Sequence, residues 1–385
     1  MTVPAPDSSE RGLASSNPPG SPQSPASSRG RGFAWRLLAL AVLVPVASLS
    51  IFRAVPAQWP TPVVQLLSFT PWMVVPAVLA LGLALAGRRV WVNAAAAVLL
   101  AAQLFWLFPL DAGRSLPGQS AAATSLTAMN INSEFGQADA AEIVRLVREN
   151  GVDLLTVQEH TQDLEDSLAS EGLGSLLPHR ISSPTDDGAG SAIYSAHPMQ
   201  ALGMLPDTPF QMPTVRLAIE DTGRTSTLDV TNVHALPPVD VRVAQWRSDL
   251  AALGRLAAQD RPAAGTAASP AAGTAAGTAA HGSPPGLPAN RLLIGDFNAT
   301  YDHSEFRAVL DGGANGSGLK LVDVGTAAGL RLVPSWPMEG MPLPGITIDH
   351  LVTSPQIASS GYAVHRIPGT DHAAVLATLR IPAAG

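Results

Sequence analysis

Three long apolar stretches open the chain, and a different pattern follows them. Residues 35–52 (WRLLALAVLVPVASLSIF), 66–87 (LLSFTPWMVVPAVLALGLALAG) and 90–110 (VWVNAAAAVLLAAQLFWLFPL) carry no charge except Arg36 at the first edge. A spanning helix needs about 20 apolar residues, and internal prolines are tolerated in such helices. The pattern therefore predicts three membrane passes. Trp35, Trp59, Trp91 and Trp106 stand near the segment ends, where interfacial tryptophans belong. A cleaved leader fits poorly, because two more segments follow and the first lacks a convincing cleavage site.

The flanks predict an orientation. Arg29, Arg31 and Arg36 surround the start of the first segment, and Arg88 and Arg89 fill the second connection, whereas the first connection carries only Arg53. The positive-inside bias puts the N-terminus in the cytoplasm and everything after Leu110 outside the membrane.

From Ser125 onward, short strands alternate with helices. Apolar runs predict strands at residues 126–131, 152–157, 191–194, 216–219, 226–233, 292–295, 346–352, 362–366 and 374–379. Asp139 caps a helix with Ala140, Ile143, Val144 and Val147 on one face, Glu142 at the capping-box position and Gly151 at its end. A second helix spans residues 239–258, burying Val243, Trp246, Leu250 and Leu253. This mixture predicts an α/β domain built on sheets. The domain map is then a Ser/Pro/Gly-rich disordered tail (1–32), a three-helix anchor (33–110), a linker (111–124) and an α/β domain (125–385). Repeated Ala-Ala-Gly-Thr units mark a low-complexity insertion at 260–289.

Composition narrows the chemistry. The chain has no cysteine, which excludes a disulfide framework and a thiolate nucleophile. Net charge is −7, and the α/β domain has a single lysine, Lys320. A broad nucleic-acid footprint would normally be basic.

Several predicted strands end in residues that chemistry can use. "TAMNIN" ends near Asn130, "LLTVQEH" delivers Glu159, "DVTNVHALPP" delivers His234, and "LLIGDFNAT" delivers Asp296 and Asn298. Late in the chain, "ITIDHLVTS" adds Asp349 and His350, and "GTDHAAVLATL" adds Asp371 and His372. Residues i and i+2 of a strand share a face, so Asp296 and Asn298 can converge on one ligand, while Asp349 and His350 point apart. Oxygen donors without cysteine favour a hard cation such as Mg²⁺ or Mn²⁺. A hard cation beside histidines suits phosphoryl chemistry, in which the metal polarises the phosphate and a base prepares water.

The order of "QE", "GDFNAT" and "TDH" resembles the endonuclease/exonuclease/phosphatase superfamily, which includes deoxyribonuclease I-like enzymes, sphingomyelinases and inositol-polyphosphate phosphatases. The likeness covers residues 125–380, and the membrane-anchored layout resembles actinobacterial teicoplanin-resistance membrane proteins of that superfamily. The resemblance implies a four-layer α/β/β/α sandwich and an Mg²⁺- or Mn²⁺-dependent phosphoesterase. It implies that Glu159 is the principal metal ligand, with Asn130 beside it and Asp371 assisting. Asp296 would orient or deprotonate water, and Asn298 would hydrogen-bond the phosphate. His372, oriented by Asp349, would contact the scissile phosphate, and His234 would stabilise it or protonate the leaving group. Tyr194 would line the substrate pocket. Apart from the resemblance, "PSWPMEG" places Trp336 either near substrate or as a Pro-flanked packing residue. One departure is Met129, where the family commonly has an aromatic residue.

The anchor and the acidic balance favour a lipid-linked phosphate or pyrophosphate as substrate. An extracytoplasmic nuclease acting on DNA or RNA is the alternative, and an inactive membrane scaffold is a third reading. The implied partners are a phosphoester substrate and the lipid bilayer; nothing in the sequence points to a protein partner.

Overall fold

The computed structural model describes residues 1–2, 26–109, 123–221, 223–258, 290–312, 320–340 and 344–383. The low-complexity insertion and most of the predicted tail and linker lie outside the described residues.

The apolar N-terminal segments are helical: α1 (Ala26–Ala54), α2 (Thr61–Leu67), α3 (Val74–Gly87) and α4 (Val90–Leu107). Three stretches, Arg31–Ala54, Thr70–Gly87 and Val90–Leu107, are long and apolar enough to cross a membrane. They pack through Ala39, Leu43, Ala80, Ala84, Val92 and Ala96, small residues for the most part, which let helix backbones approach closely. The second pass begins later than the sequence pattern suggests. Residues 66–67 end the separate helix α2, and a tight turn, Thr70–Met73, precedes α3. The reason lies in α2, whose Val64 is buried against the α/β domain.

That domain runs β1 (Ala123–Asn132), α5 (Ala140–Glu149), β2 (Leu154–Gln158), α6 (Gln162–Ser170), α7 (Leu173–Leu176), β3 (His179–Ser183) and β4 (Ser191–Ser195). It continues with β5 (Met199–Met204), β6 (Pro213–Asp221), β7 (Arg224–His234), α8 (Val243–Ala258), β8 (Arg291–Asp296) and α9 (Ser304–Gly312). It closes with β9 (Val322–Asp323), α10 (Val324–Ala327), β10 (Asp349–Thr353), β11 (Ala358–Arg366) and β12 (Ala373–Pro382). The strands form two six-stranded sheets, ordered β11-β12-β1-β2-β4-β3 and β5-β6-β7-β8-β10-β9.

Alternation along each strand builds the layers. On β1, Leu126 and Ala128 face the second sheet, where they meet Leu217, Leu228, Leu292 and Ile294. Met129 and Ile131 face outward, under Ile143, Val147, Leu164 and Leu168 of α5 and α6. On the other side, Trp246, Leu250 and Phe306 of α8 and α9 cover Leu293 and Phe297. The result is an α/β/β/α sandwich. The Asp139 cap forms as the sequence suggests, its carboxylate accepting from the Glu142 N–H at 2.9 Å.

One parallel pair in each sheet brings the site to a common edge. β1 and β2 end together with Asn132 opposite Gln158, and β7 and β8 end together with His234 opposite Asp296. Antiparallel β10 starts with Asp349 beside Asp296. Gly295 lets β7 and β8 approach at this edge: it has φ +147°, and a Cβ there would lie 2.0 Å from the Val233 carbonyl oxygen.

Candidate active site

Asn132 ties the two sheets together at the mouth of the sandwich. Its Nδ2 donates to Glu159 Oε1 and to Asp296 Oδ2, both at 3.1 Å. The second Glu159 oxygen accepts from the Phe135 backbone N–H at 3.0 Å. Asp296 Oδ1 accepts from the Asn298 N–H at 2.7 Å, and Asp296 Oδ2 accepts from Asn298 Nδ2 at 3.1 Å. Glu159 and Asn298, each just past a strand end, adopt left-handed backbone conformations, with φ of 53° and 47°. This conformation disfavours most L-residues and recurs at functional positions.

Two histidines flank these carboxylates. His372 Nδ1 lies 2.9 Å from Asp349 Oδ2, which leaves Nε2 facing Asp296 and Asp371, each 3.8 Å away. His234 Nε2 stands 3.7 Å from Glu159 Oε1, and its ring stacks on Phe210 with centroids 4.2 Å apart. Asp371 accepts from the Trp336 indole N–H at 2.7 Å, and its backbone N–H donates to Glu134 Oε2 at 2.6 Å.

Burial sets the charges. It pushes the Glu159 carboxyl up, against the hydrogen bonds from Asn132 and Phe135. It lifts Asp296 to about 7, a rise added to by Asp349 and opposed by the His372 charge. For His372, burial is outweighed by the charge and hydrogen bond of Asp349, with Asp296 and Asp371 adding, and the imidazole rises to about 10. His234 falls to about 3 through burial and the neighbouring His372 charge, so it is neutral. One imidazolium thus faces several desolvated carboxylates.

That donor set fits a divalent cation. Asp296 and Asp349 each offer a carboxylate oxygen within 4.8 Å of the other, and Asp349 Oδ1 is buried with no hydrogen-bond partner; His372, carrying its proton, stands beside them as a donor. Glu159 and Asp371 add carboxylates at the same mouth. Hard oxygen donors of this kind suit ions of the Mg²⁺ or Ca²⁺ type.

The structure brings together Glu159, His234, Asp296, Asn298, Trp336, Asp349, Asp371 and His372, but it corrects three expectations. Asn130 is not at the mouth where these residues converge. β1 runs on to Asn132, and Asn130 lies one pleat deeper, its Oδ1 accepting from Thr156 Oγ1 at 2.8 Å and Gln158 Nε2 at 2.6 Å. Tyr194 does not line the pocket, because it faces the outer helices, with its hydroxyl 3.3 Å from His160 Nε2. Asn298 does not present its amide nitrogen to a phosphate; Nδ2 donates to Asp296 and, at 3.0 Å, to the Ala235 carbonyl. It braces the carboxylate instead. Sequence reasoning missed Asn132, Glu134 and Phe210, although "NINSE" contained the signal of two asparagines on one strand face.

Residues 128–372 match the Endonuclease/Exonuclease/phosphatase family. The chain belongs to that family of phosphoester hydrolases, and it has the family's fold. No curated protein sequence matches it. Among solved structures, it is similar to an endonuclease/exonuclease/phosphatase family protein from Bacteroides thetaiotaomicron, at 16% identity and TM-score 0.43, over 67% of this chain and 96% of that one. It is also similar to sphingomyelinase C from Streptomyces griseocarneus, at 14% identity and TM-score 0.42, over 66% and 99%. An AP endonuclease from Archaeoglobus fulgidus matches at 13% identity and TM-score 0.45, over 66% and 98%.

Proposed function

We propose that the chain is a Mg²⁺- or Mn²⁺-dependent phosphoesterase that works outside the cell membrane on a lipid-linked phosphate ester or pyrophosphate. The observation that carries this reading is the convergence of Glu159, Asn132, Asp296, His234 and the Asp349–His372 pair on one edge of the sandwich. Glu159 would hold the cation, with Asp371 and the Asn132 amide oxygen at hand; the bound ion neutralises phosphate charge and polarises the P–O bond. Asp296, fixed by Asn298 and Asn132, aims a carboxylate oxygen at the water that attacks phosphorus. His372, fixed through Nδ1 by Asp349, keeps Nε2–H free to donate to a phosphate oxygen as negative charge builds there. Neutral His234 stabilises the opposite side of the phosphate.

The anchor supports the location. Arg36 bonds the Gly87 carbonyl at one end of the helix bundle, next to Arg88 and Arg89. The α/β domain meets the other end, through Arg53 and Trp106. Positive-inside then leaves the domain outside, and an anchored domain of this family supports the teicoplanin-resistance type of reading.

The test is the full chain in detergent with Mg²⁺, offered phosphomonoesters, phosphodiesters, a lipid pyrophosphate and DNA. Hydrolysis of the lipid substrate that EDTA abolishes is the expected result. EDTA-resistant turnover overturns the metal mechanism, and preference for DNA turns the reading to a nuclease. Protease added to intact, wall-stripped cells should digest the α/β domain; protection of that domain reverses the topology.

A further inference from the structure

The α/β domain is seated on its anchor as well as joined to it. Arg53, near the end of α1, donates to Asp302 Oδ1 at 2.8 Å, with both side chains buried. Arg331 donates to the other Asp302 oxygen at 2.5 Å and to the Trp106 carbonyl at 2.7 Å. The Arg53 guanidinium lies 4.8 Å above the Trp106 ring. Around this buried cluster, the His303 ring bonds the Val64 carbonyl at 2.9 Å and Thr61 donates to the Asp240 carbonyl at 2.6 Å. Gln65 donates to the Pro238 carbonyl and Trp72 to the Gly345 carbonyl, both at 3.3 Å.

These contacts fall on the loops that carry the site. Pro238 follows His234, Asp302 follows Asn298, and Gly345 precedes Asp349, each by four residues. Four residues reach at most about 14 Å. Arg53, Trp72 and Trp106 lie at the ends of the candidate spans, so the catalytic mouth stands near the height of the lipid headgroups. Beside the same contacts the domain shows bare apolar side chains: Val241, next to Asp240, is 89% exposed, and Leu332, next to Arg331, is 47% exposed. Leu330 and Val333, neighbours of Leu332, are exposed as well. Exposed apolar side chains next to residues that touch spanning helices have the bilayer as their natural cover.

Resting on the phosphoesterase reading, we infer that the catalytic mouth is held at the bilayer surface by the Arg53–Asp302–Arg331 seat and that Val241, Leu330, Leu332 and Val333 dip into the headgroup layer. Its substrate is an amphiphile whose phosphate is cleaved at the interface while its tail stays in the leaflet.

The absence of native cysteine makes a direct test possible. Val241→Cys, Leu332→Cys and, as control, Thr225→Cys would each carry one fluorophore in the full chain, reconstituted in phosphatidylcholine/phosphatidylglycerol vesicles containing headgroup-spin-labelled lipid. Thr225 is exposed at the far end of β7, about 30 Å from His234 at the usual strand rise. Probes at 241 and 332 should be quenched strongly and the probe at 225 weakly; equal quenching at all three overturns the seating. In a second measurement, Val241→Asp and Leu332→Asp should each lower turnover of a vesicle-embedded lipid pyrophosphate by about tenfold, sparing water-soluble bis(4-nitrophenyl) phosphate. Equal effects on both substrates overturn the interfacial assignment. Strong quenching at 241 and 332 in the labelled variants, together with a wild-type chain that cleaves neither substrate, upholds the seating and removes the phosphoesterase reading.

Discussion

Asp349 and His350 are neighbours on β10, and each belongs to a buried aspartate–histidine pair, yet the two pairs lead different lives. Asp349 points between the sheets and holds His372 by Nδ1 at 2.9 Å, leaving Nε2 facing the carboxylates of the mouth. His350 points into the helix layer, where both ring nitrogens are engaged: Nδ1 lies 3.3 Å from Asp323, and Nε2 lies 2.8 Å from the Ala299 carbonyl. Its ring packs against Phe306, with centroids 4.3 Å apart, and edge-on to Phe297 at 5.6 Å. The same two side-chain types thus line the mouth in one place and clamp the loop after "GDFN" in the other. What separates them is one ring nitrogen left open to the mouth.

The largest expected effects fall on the open pair and the carboxylates at the same mouth. Asp296→Asn and His372→Ala should each lower kcat at least about a hundredfold, the range of general-base and electrostatic groups. Because both act on one transition state, the double variant should lose less than the product of the single losses. Glu159→Gln should abolish Mg²⁺-dependent turnover in a chain that still folds, read by circular dichroism beside the assay. Asp296→Asn retaining most of its turnover, with folding and metal binding intact, would remove the role given to that carboxylate.

Breaking the closed pair should have a different signature. The position of His350 opposite Asp349 suggests from sequence alone that His350→Ala behaves like wild type, and the expected outcome is unchanged turnover per folded molecule. The structure adds a stability cost, because the variant leaves Asp323 buried without its cation. Removing one partner of a buried pair costs about 3–5 kcal/mol, visible as a fall in denaturation midpoint. A large drop in kcat with unchanged stability would mean that His350 reaches the substrate.

Asn132 and Asn130 sharpen the contrast along one strand. Asn132→Ala frees both Glu159 and Asp296 from a shared donor and should cost activity first. Asn130→Ala should chiefly cost stability, about 1–3 kcal/mol for a buried hydrogen-bonded group, since it removes an acceptor that Thr156 and Gln158 share. Equal activity losses in the two variants would contradict this division.

The same pair of asparagines shows how far the sequence could be read. Period-2 alternation puts residues 130 and 132 on one face, so pattern alone cannot say which one stands at the mouth. The strand end decides, and it lies beyond the apolar run. Strands with apolar cores, such as Leu154–Gln158 and Arg291–Asp296, were legible because they are buried throughout. His179–Ser183 and Met199–Met204 were not, because they are largely exposed edge strands with little apolar signal. Tyr194 was misplaced for want of a face assignment on β4. The anchor's seat was invisible for another reason: Arg53 and Asp302 are 249 residues apart, and no local pattern links them.

The smallest expected effect is a pH dependence that separates the closed pair from the rest. Burial by itself would raise Asp323 and lower His350. Their mutual charge and hydrogen bond outweigh this, aided by Thr326 for Asp323 and by the Ala299 carbonyl for His350. Asp323 therefore lies below its usual value and His350 above its own. A depressed carboxyl contributes stability above its unfolded pKa of about 3.9 and loses it as pH falls through the folded value. A raised imidazole contributes fully below about 6.5 and loses that share as pH rises through its folded value. The pair is strongest between these limits. His372, also raised, adds its own alkaline decline, but that share is common to wild type and His350→Ala. The difference in midpoint between the two chains should thus be widest from about pH 4 to 6.5 and narrow as pH rises. A difference that stays constant as pH rises into the alkaline range would show that His350 holds the loop by shape and packing, with its charge contributing nothing.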